Sequence, residues 1–295
     1  MNFKFLICLF VLLLPFCSIA KDFTAIGFVE AMDNQQSIRD KIRLTFARTD
    51  SGWSSSCSPQ IMSRPWQIID VDGERIDVGS LKLSKARYGG ETGLVSIEKP
   101  LKTTLKFDST RQSRYTWDGA TYPPLLAVPK GTRVEKIQPV AMNGSVEQKI
   151  KDKLVTQYFR KGRTVRKCDS NENLISERDA KSSDVVIKPL AGYKDNVSFY
   201  EVLIPDTSGC GIMDDEMELM AVKGTDVVNL SESLCFLQDD RPTSTSLTLF
   251  NRYAVSTEKT KDSIFVFFVG GYNEDGYALF NSELKLKAIS TWNYH

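Results

Sequence analysis

Carboxylates, or a serine paired with a lysine, are where chemistry would have to sit in this chain, because it owns one imidazole, and His295 is the last of its 295 residues. Serine and cysteine nucleophiles ordinarily need an imidazole base oriented by a third group, and a terminal residue is commonly frayed. Nucleophile–histidine catalysis is therefore poorly supported. Histidine-bearing zinc sites fail on the same count, and no CxxC pair supplies thiolates. Gly209 and Gly211 flank Cys210 without the Gly-Lys-Ser/Thr continuation of a phosphate loop. No cofactor and no bound metal are expected.

Three acidic stretches remain. "GIMDDEMELM" sets Asp214, Asp215, Glu216 and Glu218 close to Cys210. Such a cluster could hold a cation or supply a carboxylate pair for glycoside hydrolysis, against the plainer reading of a solvated loop. "DVDGERID" carries Asp70, Asp72, Glu74 and Asp77, but Val71 and Ile76 alternate as in a strand, so their neighbours are expected to face water. "GGYNEDGYALF" places Asn273 and Asp275 at two calcium-loop positions when Gly276 is aligned with the loop glycine. Gly271 and Ser282 then stand where carboxylates are needed, and calcium takes six to eight oxygens. A tight turn at Asp275-Gly276 between two strands is the expectation.

The opposite charge concentrates in "FRKGRTVRKC", where Arg160, Lys161, Arg163, Arg166 and Lys167 fall within eight positions. Cations suit a helix C-terminus or the guarded edge of a sheet. The alternative is an anion-binding patch for a lipid headgroup or polysaccharide.

The elements that must carry these residues begin after residue 20. "MNFKFLICLFVLLLPFCSIA" reads as a signal peptide, with Lys4 as the positive start, Phe5 to Leu14 as the apolar core, and Ser18 and Ala20 as the small residues before cleavage. Lipidation at Cys17 competes, although Phe16 is bulky for it. That apolar core is shorter than the roughly 20 residues a spanning helix needs, and no later stretch approaches that length, so no transmembrane segment is expected after cleavage. Removing Lys4 leaves 37 basic against 37 acidic residues (38 Lys and Arg less one, and 37 Asp and Glu). A neutral chain has no global field to draw it to nucleic acid.

Four cysteines follow the cleavage point: Cys57, Cys168, Cys210 and Cys235. An even number in an exported protein predicts two disulfides, for which three pairings exist. Cys210 with Cys235 is preferred, because the two are expected to flank a hairpin or adjacent strands. Closing a loop of that size stabilises by about 3.5 kcal/mol. Cys57 with Cys168 follows by elimination, and free buried thiols are the alternative.

Most of the chain reads as strand and turn. "FTAIGFVEAM" and "KIRLTFARTD" are β-branched and aromatic runs. "WQIIDVDGERIDVGSLKL" predicts a hairpin with a type I′ turn at Asp72-Gly73. "TYPPLLAVPKGTRV" is punctuated by three prolines and is expected as loop or edge strand. "SIFVFFVGG" lacks alternation, as a strand buried on both faces should. One segment differs: "SVEQKIKDKLVTQYFRKG" aligns Val146, Ile150, Leu154, Val155 and Tyr158 at helical spacing, with a Ser145/Gln148 capping box and Gly162 as its end. The expected organisation is a β-rich half at 21–142, a connecting helix at 143–163 and a second β-rich half at 164–295. The expected fold is mainly β, propeller-like or a two-part β-sandwich, with one central amphipathic helix and the tryptophans as core anchors.

The closing "GYNEDGYALFNSELKLKAISTWNYH" is similar to the end of uncharacterised secreted bacterial β-rich proteins, in which a DGY-x-LF strand precedes a final strand ending near Trp-x-Tyr-His. "WQIIDVDGERIDVG" resembles their hairpin. Together these cover about 40 residues. The resemblance implies a β-rich exported protein without an assigned activity. Such chains also carry an Asp/Asn-rich run similar to FG-GAP-type repeats; here "NRYAVSTEKTKDSIF" stands in its place. The expected function is a secreted or periplasmic, non-catalytic module binding an envelope or extracellular ligand, glycan or protein. A hydrolase using carboxylates alone on glycans is the alternative.

Overall fold

The computed structural model describes residues 24–32, 41–49, 51–55, 58–83, 94–98, 101, 105–108, 120–157, 164–171, 173–194, 197–205, 215–237, 246–248, 253–257, 262–270 and 274–293. The first strands are β1 (Ala25–Met32), β2 (Lys41–Thr49), β3 (Gly52–Ser54), β4 (Trp66–Ile69), β5 (Arg75–Gly79), β6 (Leu81–Leu83), β7 (Leu94–Ile97) and β8 (Ala120–Pro129), with a one-turn helix α1 (Pro59–Met62). Then come β9 (Arg133–Lys136), helix α2 (Gly144–Gln157), β10 (Thr164–Cys168), β11 (Leu174–Asp179), β12 (Val186–Tyr193), β13 (Val197–Pro205), β14 (Asp215–Lys223) and β15 (Asp226–Asn229). The chain closes with β16 (Ser246–Thr248), β17 (Tyr253–Ser256), β18 (Ser263–Gly270), β19 (Glu274–Asn281) and β20 (Leu286–Asn293).

The first sheet runs β5-β4-β8-β1-β2-β7-β6, with β3 added to β2. Its outermost strands, β5 and β6, are consecutive in the chain with only Ser80 between them, so the sheet curls until it is nearly a closed barrel. Period-two alternation points Ile42, Leu44, Trp66, Ile68 and Leu125 into that barrel. Ile61 and Met62 of α1 join the same interior, and the Trp66 indole N–H donates to the Ile61 carbonyl at 3.1 Å. The proline-rich run expected at an edge is instead β8, a central strand between β4 and β1. Its register against β1 shifts between Val29 and Ala31, opposite Leu125 and Tyr122. Pro123 and Pro124 therefore sit at an irregularity, where no ladder donor is needed.

The outer face of the barrel packs on a second sheet, β20-β19-β18-β17-β9, to which β16 adds beside β18. Ile26, Phe28 and Phe46 of the barrel meet Val266, Phe268 and Tyr277 in this layer, with Phe28 stacked on Tyr277 at a centroid distance of 4.4 Å. The other face of the second sheet packs on a third, β12-β13-β14-β15. Phe199 sits edge-on to Phe265 at 5.0 Å and to Phe267 at 5.3 Å. Helix α2 covers the far face of the third sheet, with Ile150 and Leu154 buried against Tyr200, Val202 and Met220. In the middle sheet, β18 sends Ile264, Val266 and Phe268 to one core and Phe265, Phe267 and Val269 to the other. That is why its sequence shows no alternation. The fold is mainly β with one amphipathic α-helix of more than a single turn among the described residues, built from face-packed sheets.

Three local expectations are corrected. The helix begins on Asn143, whose side chain accepts the Ser145 N–H at 2.9 Å. Ser145 donates its own hydroxyl to Asn143, and Gln148 reaches Asp152 instead. Asparagine, as good a cap as serine, stands two residues earlier and wins. The β4–β5 turn has positive φ only at Gly73 (φ 91), so it is not type I′. The Asp70 carboxylate accepts the N–H groups of Asp72 and Glu74, and this side-chain turn closes a longer loop. Asp275 and Gly276 lie inside β19, opposite Trp292 and Thr291. Gly276 answers a close approach: a Cβ there would stand 2.6 Å from the Ser290 carbonyl oxygen.

Candidate functional site

After α2, strands β10 and β11 form a two-stranded ribbon, the only sheet of just two strands among the described residues. Five register pairs join its strands, from Thr164–Asp179 to Cys168–Leu174, with a shift between Lys167 and Cys168. None of its residues belongs to any of the four apolar clusters. Every residue of β11 is exposed, and Leu174 and Ile175 are 51% and 59% accessible.

Both ends of the ribbon are tied. At the tip, the Asp169 carboxylate accepts the N–H groups of Asn171 and Asn173 at 2.9 and 2.8 Å. These bonds and the Asn173 amide hold it below its usual pKa. At the base, Arg178 grips Asp184 with two bonds of 2.7 Å. That guanidinium, joined by the Lys181 N–H, pulls the Asp184 carboxyl down to about 2.

The basic run falls partly on this ribbon. Arg166 faces Glu177, with Nε and Oε2 3.4 Å apart, and Lys167 is exposed beside it. Arg160, Lys161 and Arg163 lie outside the described residues. Cys168 ends β10. Cys57 and Cys210 lie outside the described residues as well, as does the side chain of Cys235, which falls in the 3₁₀ turn Ser231–Leu237. His295 is outside them too.

Of the acidic candidates, Asp214 lies outside the described residues, and Asp215 and Glu216 open β14 with side chains that are not described. Glu218 is buried at 7% exposure, opposite Val202. In "DVDGERID", Asp70 closes the turn, while Asp72 pairs with Lys106 at 3.0 Å and Asp77 with Lys130 at 2.6 Å. Those carboxylates serve local structure. Among the described residues, no group of three or more His, Cys, Asp or Glu side chains could hold a metal, and no helix is long and apolar enough to cross a membrane.

No family model matches the chain, and no curated protein and no solved structure matches it.

One constellation has no local signal in the sequence because its members are far apart. Glu135 of β9, Tyr193 at the end of β12 and Ser263 at the start of β18 converge, separated by 58 and 70 positions from Tyr193. The Tyr193 hydroxyl donates to Glu135, and so the Ser263 hydroxyl, 2.7 Å away, donates to the phenol oxygen. Lys194 and Arg133 flank Glu135 at 2.9 and 2.8 Å. The Lys194 ammonium also lies 4.8 Å from the Tyr193 ring centroid, and Lys194 takes the left-handed φ of 47° to get there. Tyr193 and then Lys194 hold Glu135 below its ordinary pKa of 4.5, while Tyr193 and then Glu135 raise Lys194. A serine–phenol–carboxylate chain can in principle move a proton. Tyr193 and Ser263 are each only 5% exposed, however, so a substrate cannot approach these hydroxyls. The arrangement is a clasp joining β9, β12 and β18, and beside it Lys223 donates to the Ser282 carbonyl at 2.9 Å.

Proposed function

We propose that this chain is an exported, non-catalytic interaction module that binds an envelope or extracellular ligand, glycan or protein, through the β10–β11 ribbon. One observation carries the reading: a six-residue strand exposed along its whole length presents Leu174 and Ile175 to solvent. Side chains of that kind normally go to a core, and an exposed sheet edge is a template for another strand. Export rests on the signal-like first 20 residues, and disulfides at Cys57–Cys168 and Cys210–Cys235 would suit an oxidising compartment.

The test is retention of the purified mature protein on isolated cell envelope and on a glycan array. Binding without product release is expected, and it should disappear in a Leu174→Ser/Ile175→Ser variant of unchanged melting temperature. Undiminished binding by that variant would remove the ribbon from the site. The alternative, a carboxylate hydrolase acting on glycans, draws on the acids that open β14, Asp215 and Glu216. Sugar release abolished by Asp215→Asn in a folded variant would establish it instead.

A further inference from the structure

The ribbon's free edge has a charge pattern that singles out an occupant. Among the described residues, β11 pairs along one edge with β10 and along the other with no strand. An isolated two-stranded sheet is marginal in water, and a third strand is what usually secures it. We propose that the open edge of β11 pairs antiparallel with the same edge of a second copy of this chain, giving a four-stranded sheet across a two-fold axis. The proposal rests on the reading of the ribbon as the binding element.

The choice of partner comes from the sequence Leu174–Asp179, LISERD. In an antiparallel pair, residues directly opposite one another share a face, so a two-fold pairing of identical strands sets residues of equal parity against each other. Centred on Glu177, the pairing puts that carboxylate against its own copy. Centred on Arg178, it opposes two guanidiniums and sets Glu177 against Asp179. Centred on Ile175, only three residues of the strand overlap. Centred on Ser176, hydroxyl meets hydroxyl, Ile175 lies opposite Glu177, and Leu174 lies opposite Arg178. No like charges oppose one another in this register. Both exposed aliphatic side chains also receive the methylene stem of a long charged residue. The Arg178 stem is already positioned, because its guanidinium is fixed on Asp184 at 2.7 Å.

An interface of two short strands is at the small end of specific contacts, so the dimer is weak, with a Kd of about 100 µM. Sedimentation velocity of the full mature chain from about 10 µM to about 1 mM should show the mass rising from monomer toward dimer. Two exposed substitutions read the register. Ile175→Asp places a carboxylate against Glu177 of the second copy and should keep the chain monomeric throughout. Ile175→Lys places an ammonium there and should associate at least as well as the parent. Under mild oxidation, Ser176→Cys should give a covalent dimer, and Glu177→Cys should give far less. A chain monomeric at every concentration, with no Ser176→Cys dimer, overturns the proposal. So does equal weakening by Ile175→Asp and Ile175→Lys, which would mark apolar contact without this register. If self-association fails while Leu174 and Ile175 still govern envelope retention, the edge takes a foreign strand and the binding reading stands. If neither is seen, both fall.

Discussion

β18 and β11 use the same antiparallel hydrogen bonds and have opposite surroundings. β18 lies between two apolar layers, and its described side chains Ser263–Val269 are all buried. β11 has no buried residue at all. The backbone ladder is common to both strands, so it cannot explain the difference. What separates them is what each face meets: aromatic rings from two neighbouring sheets for β18, water for β11. A strand's ladder thus says little about its role, and side-chain burial distinguishes scaffold from surface.

That contrast can be broken by substitution, and the largest effect should come from its most buried side. Phe267→Ala in β18 removes a ring packed edge-on to Phe199 and Phe280 at 5.3 and 5.5 Å. It should cost about 3 to 5 kcal/mol in denaturant unfolding. Gly276→Ala in the neighbouring strand adds a methyl 2.6 Å from the Ser290 carbonyl oxygen, and overpacking of this sort should cost about 1 to 3 kcal/mol in the same assay. Tyr193→Phe leaves Glu135 and Ser263 without the hydroxyl between them, for an expected loss of about 1 to 2 kcal/mol.

The clasp also has a pH signature. Glu135 is held below its ordinary value of 4.5, so the stability it contributes is complete above that pH. It is lost as pH falls through the lower, folded value. Glu135→Gln should therefore flatten the acid limb of the stability profile below pH 4.5, measured by thermal unfolding across a pH series. Asn143→Ala takes the cap from α2 and should cost about 1 kcal/mol. At the other extreme, Ile175→Ser in the ribbon should shift unfolding by less than about 0.5 kcal/mol. A cost there near that of Phe267→Ala would mean β11 is part of the folding core.

The same contrast governs how much of the molecule is legible in its sequence. The double burial of β18 is legible because an uninterrupted apolar run has one economical explanation, two cores. The β4–β5 hairpin and the mid-chain helix are legible as elements, since their periodicities differ. Their punctuation is not: Asp70 and Asn143 act through side-chain bonds to nearby backbone, and several residues in each stretch could do so. β8 departs from its expected edge position because its prolines fall at a register shift, which only the pairing with β1 reveals. The ribbon leaves no strand signal, since "LISERD" neither alternates nor clusters apolar residues. Glu135, Tyr193 and Ser263 carry no local motif, and only the stacking of the second and third sheets brings them together.

Native-state amide hydrogen exchange, read residue by residue at low protein concentration, tests the division between scaffold and presented edge most directly. The amides of β18 should exchange only through global unfolding, while those of β11 should exchange through local opening with protection lower by several orders of magnitude. Matching protection in the two strands would contradict that division.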